Sequence, residues 1–168
     1  MASAAAAQNA PPISADALVY ARDGVVNGCG VRLTGGAPNA SGPSTWFDVS
    51  VNVFRRDIAI AQAIAYEIRR SDFTGDSRPA RVPLQSAWLR SADGKARLGE
   101  NAERVDTLAY TLLTEDALAL FDAIARGQPL SVGLKRWGDR VDSVYSGTPA
   151  LADQTREQIG ECLATLLQ

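Results

Sequence analysis

IAIAQAIAYEIRR, residues 58–70, reads equally as a strand or a helix, and the shape of the chain turns on which it is. Ile58, Ile60, Ile64, Tyr66 and Ile68 alternate with Ala59, Ala61, Ala63 and Ala65, the two-residue period of a strand. Ile60, Ala61, Ile64, Ala65 and Ile68 also trace a helical stripe, and alanine favours helix. The isoleucines tip the balance, because β-branched side chains are stiff at χ1 and sit well on a pleated surface. The preceding stretch, TWFDVSVNVF at 45–54, is plainer: Phe47, Val49, Val51 and Val53 fall on one side, and Asp48, Ser50 and Asn52 on the other.

Working outward, ALVYARDGVVNGCGVRL (17–33) predicts two short strands with RDG and NG as turns, and TGGAPNASGPS (34–44) reads as a loop. SDFTGDSRPARVP (71–83) is a second loop, and LQSAWLRSADGKARL (84–98) is a hairpin turning at Asp93 and Gly94. DTLAYTLL (106–113) alternates as a strand. Thr114 is placed to cap a helix whose apolar face is Ala117, Leu118, Phe121 and Ile124, with Gly127 and Pro129 to end it. LSVGLKRWGDRVDSVYS (130–146) predicts a hairpin around Gly138 and Asp139. Thr148 and Pro149 are placed to open a last helix with the stripe Leu151, Thr155, Ile159, Cys162, Leu163 and Leu166. The expected fold is α+β: an antiparallel β-sandwich-like or strongly bent sheet, with two helices in the C-terminal half.

A chain of 168 residues, 46% hydrophobic and 21% charged, predicts one globular domain over 15–168 that needs no metal to hold its core. The opening MASAAAAQNAPPISADA has no basic segment and no long apolar run. Residues 1–14 are therefore expected to be either a disordered arm or the remnant of an export signal region. The net charge of −2 argues against nucleic acid as a partner. The basic residues within RVPLQSAWLRSADGKAR (81–97) read as a solvated face. No apolar run approaches the ~20 residues of a membrane-spanning helix.

Two cysteines stand 133 residues apart. Cys162 falls on the apolar stripe of the last helix, and Cys29 sits between Gly28 and Gly30 in an early strand. Their bond would tie the ends of the domain together and suits the periplasm or the cell exterior. The alternative is a pair of buried free thiols in a cytosolic protein.

The absence of histidine removes Ser-His-Asp and Cys-His catalysis and the common zinc centres, and two cysteines cannot supply four thiolates to a metal. Ser91 with Lys95 and Ser131 with Lys135 lack the spacing of a Ser-Lys catalyst. GCGVRLTGG (28–36) resembles a phosphate loop only in its glycines, SDFTGD lacks the spacing of a calcium loop, and NAS at 39–41 is a formal glycosylation sequon. No cofactor or metal is expected. Asp48, Asp57, Glu67, Asp72 and Asp76 could supply the carboxylate pair of a glycan hydrolase. Trp46, Trp88 and Trp137, with Arg136 beside the last, are candidates for a binding surface.

TLAYTLLTEDALALFDAIARGQPLSVGLKRWGDRVDSVYSGTPAL, within residues 107–166, runs strand, capped helix, hairpin, small-residue turn and final helix. It resembles the same stretch of small proteobacterial periplasmic proteins of the invasion-associated locus B type. The resemblance implies a β-rich domain with a late helix and carries over no functional residue. The expectation is an exported envelope protein that binds a protein or small ligand without catalysis. A carboxylate-dependent glycan hydrolase and a cytosolic partner-binding domain are the alternatives.

Overall fold

The computed structural model describes residues 12–37, 43–55, 58–68, 79–91, 95–98, 108–111 and 114–168. Its strands are β1 (Ser14–Arg22), β2 (Val25–Ala37), β3 (Ser44–Phe54), β4 (Ile58–Ile68), β5 (Ala80–Val82), β6 (Leu84–Arg90), β7 (Lys95–Leu98) and β8 (Leu108–Thr111), followed after helix α1 (Thr114–Ala125) by β9 (Leu130–Arg136), β10 (Ser143–Gly147) and β11 (Ala150–Leu151). Helix α2 (Asp153–Leu166) closes the chain. One sheet has the order β11-β1-β2-β3-β4-β5 with β8 also on β4, and the other has β10-β9-β6-β7. The fold is α+β, mostly sheet, with one sheet curled into a half-barrel and both helices in the C-terminal half.

Residues 58–68 are strand, and their packing explains the ambiguity. Ala59, Ala61, Ala63 and Ala65 point into the core and are fully buried, while the isoleucines take the outer face. Helix α1 lies against β3 and β4 through Ala117, Leu120, Phe121 and Ile124, and a row of methyl groups lets it approach closely. Val31, Leu33, Phe47, Val49 and Val51 complete this inner face, and Leu89, Leu130, Val132 and Leu134 of the second sheet pack against the same core. The Phe47 and Tyr145 rings join the two sheets at 5.1 Å. Ile13, 2% exposed, already belongs to the core, so the packed chain begins before Ala15.

The expected turn at Asp23 and Gly24 forms, with φ of 53° and 77°, the two positive values of a type I′ hairpin. The expected turn at Asn27 and Gly28 does not, nor does the loop at 34–37, because β2 runs unbroken through both. The glycines there serve their cross-strand partners rather than turns. Gly28 pairs with Phe54, Gly30 with Asn52, Gly35 with Phe47 and Gly36 with Trp46. A Cβ at these positions would lie 2.1–2.9 Å from atoms of the partner's side chain. The large residue lies across the bare backbone opposite it.

Leu118 is not on the buried face of α1; it is 41% exposed, and Leu120 takes its place. Gly127 ends that helix as expected. At φ 67° it donates to the Ile124 carbonyl, and Gln128 donates to that of Ala123, the paired bonds of a Schellman cap. Helix α2 starts at Asp153 rather than at Thr148. Ala150 and Leu151 are drawn out as β11, parallel to β1, with the Ala150 amide donating to the Ile13 carbonyl at 2.8 Å. The open edge of β1 outcompetes the N-terminal turn that Pro149 favours, and Ala152 leaves the helix without a side-chain cap. Thr155, Ile159, Cys162 and Leu166 are the buried stripe. Arg156 of α2 reaches the Ala125 carbonyl, where a cation favours the end of α1. The predicted turn at Asp93 and Gly94 lies outside the described residues, as does the Thr114 side chain.

Candidate functional site

Cys29 and Cys162 are bonded, with Cα atoms 5.9 Å apart. Both sulfurs are buried with Leu166 in a small cluster set beside the main core, and Val26, Val53 and Leu163 pack around it. The last helix is thereby fixed to β2.

The outer face of the first sheet carries no helix among the described elements and holds an ordered polar and aromatic surface. Cross-strand pairing sets Trp46 beside Tyr66, and Asp48 beside Thr34 and Ile64. Arg32 Nε donates to Asp48 Oδ2 at 2.9 Å, and this hydrogen bond holds the guanidinium pKa above its ordinary value. Farther along, Tyr20 Oη donates to Asn52 Oδ1 and Asn52 Nδ2 donates to Ser50 Oγ, each at 3.0 Å. Burial, and then the nearby Asp48 carboxylate, push the Tyr20 phenol upward.

A cleft of about 370 Å³ opens on this face. Trp46, Tyr66, Ile68 and Pro79 make its apolar lining, and the ion pair of Arg32 and Asp48 makes its polar part. The Trp46 ring lies over Gly36, whose Cβ, if it had one, would fall 2.7 Å from Trp46 Cδ2. The Trp46 indole N–H is shielded from solvent and meets no acceptor among the described residues. A buried donor without a partner costs about 1–3 kcal/mol. A larger groove of about 430 Å³ follows the seam where α2 crosses β1 and β2. Its lining of Ala17, Val19, Val26 and the polar edge of α2 has no aromatic ring and no ion pair, and helix docking accounts for it.

The tryptophans expected to form one surface are dispersed. Trp46 lines the cleft. Trp88 lies on the outer face of the second sheet, on the opposite side of the core. Trp137 is 53% exposed in the turn after β9. Arg136 is an internal tie: its Nη1 donates to Glu67 Oε1 at 2.7 Å and its Nε to Asp139 Oδ2 at 2.8 Å, linking β9 to β4. The Asp139 hydrogen bond raises the Arg136 pKa, against the opposing effect of burial.

Of the carboxylates considered for hydrolysis, Asp48 is held by Arg32 and Glu67 by Arg136. Asp57, Asp72 and Asp76 lie outside the described residues. Each groove has one carboxylate among its described lining residues, Asp48 in the first and Glu161 in the second. Ser131 Oγ pairs with Ser146 Oγ at 2.8 Å. Lys135 is four strand residues from Ser131, about 13 Å, too far for the two to act as a catalytic pair. No group of three or more metal-ligating side chains occurs among the described residues, and no described helix is long and apolar enough to cross a membrane.

The sequence reading missed Arg32, Tyr66, Ile68 and Pro79. The alternation of β3 had already put Trp46 on one side with Asp48. Their neighbours follow only from the register of the β3–β4 and β2–β3 hairpins, which no single strand reveals. No protein-family model, curated protein or solved structure matches the chain.

Proposed function

We propose that the protein is an exported envelope protein that binds a small amphipathic ligand in the cleft beside Trp46 and performs no catalysis. The cleft carries the reading. Its aromatic and aliphatic wall suits a flat apolar body, and the Arg32 guanidinium, paired with Asp48, presents donors to a polar or anionic group. The buried disulfide supports an oxidising compartment. The resemblance of residues 107–166 to small periplasmic proteins points the same way.

The probe 1-anilinonaphthalene-8-sulfonate combines an aromatic body with an anion and tests the cleft directly. Titration is expected to give saturable fluorescence enhancement, weakened tenfold or more by Trp46→Ala and by Arg32→Gln. Val144→Ser, an exposed change on the other sheet, should leave it unchanged. Affinity that survives both cleft substitutions rejects the site. For the compartment, cells expressing the complete gene should release the oxidised protein on osmotic shock; recovery from the cytosol with two free thiols overturns that half of the reading.

A further inference from the structure

The outer face of the second sheet is a separate feature. At its middle Gly133, Trp88 and Arg90 pack together. The Trp88 ring lies against Gly133, and the Arg90 guanidinium sits 5.3 Å from the ring centroid. Trp88 Nε1 donates to Asp142 Oδ2 at 2.7 Å, which fixes the ring in its plane. Strand register places Lys95 opposite Arg90, Arg97 opposite Trp88, and Lys135 opposite Ser86. Four basic positions thus occupy successive rows of one face, spread over about 13 Å along the strands. This occurs in a molecule whose net charge is −2. Among the described residues, Asp142 is the carboxylate that approaches this face, and no described carboxylate pairs with Arg90. The described neighbours of α1 are β2, β3, β4 and β7 and those of α2 are β1 and β2, so neither helix lies across β6 and β9.

We infer that this face docks an anionic polysaccharide. Charge complementarity selects a polyanion, and basic positions spread along the strands suit a chain rather than a small molecule. An arginine stacked on an indole is held with its donor edge free, the geometry that grips a carboxylate or sulfate in a fork. The Ser131 and Ser146 hydroxyl pair and the exposed Val144 suit the hydroxyls and C–H faces of sugars. Single-stranded nucleic acid fits less well. It is held by stacking bases on open aromatic rings, whereas the Trp88 ring already packs on the Gly133 backbone and near the Arg90 guanidinium. Arg90, Lys95 and Arg97, which composition alone assigns to a solvated face, thereby take positions on one surface with Lys135.

The test uses the whole protein with polygalacturonate, neutral dextran of equal length and a thymidine oligonucleotide as probes. Polygalacturonate is expected to bind at low ionic strength and to be released as salt rises, with dextran inert. Arg90→Gln together with Lys135→Gln should weaken binding at least tenfold. Arg22→Gln with Arg55→Gln, the same charge removed elsewhere, should change it less than twofold. Failure of polygalacturonate to bind, equal loss in the control variant, or tighter binding of the oligonucleotide each overturns the proposal.

Discussion

Replacing Cys29 and Cys162 together by alanine is expected to lower the unfolding free energy by about 4 kcal/mol, and reducing the native protein should do the same. The bond closes a loop with a sequence separation of 133, so the chain-entropy contribution approaches ~5 kcal/mol in the ideal case. For a domain of this size each kcal/mol corresponds to roughly 2–4 °C, so the midpoint should fall by about 10 °C or more. The loss is also local. Helix α2 has no side-chain cap, shows solvent most of its residues, and holds to the sheet through Thr155, Ile159, Cys162 and Leu166. Without the bond, its last turns keep Leu166 and the half-buried Leu163 as anchors. Amide exchange over residues 160–168 should therefore accelerate far more than exchange in β3 and β4. Urea titration with and without reductant measures the first effect and exchange mass spectrometry the second. A change below about 1 kcal/mol on reduction would show that the clamp does not hold the fold.

Local pattern carried the elements whose side chains answer to their own strand or helix. The alternation of 47–53, the Asp-Gly turn at 23–24 and the Gly127 helix stop depend on a few neighbouring residues, and each appears as read. The pairing of Cys29 with Cys162 was also legible, because a lone even pair on two apolar positions has one partner choice. What failed depends on residues distant in the chain. Gly28, Gly35 and Gly36 look like turn residues until Phe54, Phe47 and Trp46 are known to lie across them. Pro149 looks like a helix start until β1 offers a free edge. The alanines of β4 look helical until α1 is known to press on them. For the site, Trp46 was visible as an aromatic on a polar strand face, but its companions were not. Arg136, attractive beside an exposed tryptophan, is consumed by Glu67, which is 69 residues away.

Gly133→Ala should destabilise the protein by about 2 kcal/mol, against the usual effect of such a change. Gly133 lies in ordinary strand conformation, and the positive φ values among the described glycines belong to Gly24, Gly127 and Gly138. An added methyl would by itself reduce the freedom of the unfolded chain and stabilise the strand by about 0.5–1 kcal/mol. Here the methyl carbon would lie 2.0 Å from Trp88 Cε2, 2.3 Å from Nε1 and 2.4 Å from Cζ2. Three atoms of a rigid ring cannot yield as a flexible tip does, so the indole must leave its seat. That breaks the bond to Asp142, worth about 1 kcal/mol, and the Arg90 stack, worth about 0.5–1 kcal/mol. It also exposes part of the ring, at about 25 cal/mol per Å². These losses exceed the entropic gain. The argument therefore requires a reversal of sign: once Trp88 is replaced by alanine, the obstacle is gone and Gly133→Ala should stabilise by about 0.5 kcal/mol. Urea unfolding of the wild type, both single variants and the double variant closes the cycle. An equal effect of Gly133→Ala in both backgrounds would mean that the ring does not rest on the glycine, and the Arg90 platform built on that stack would fall with it.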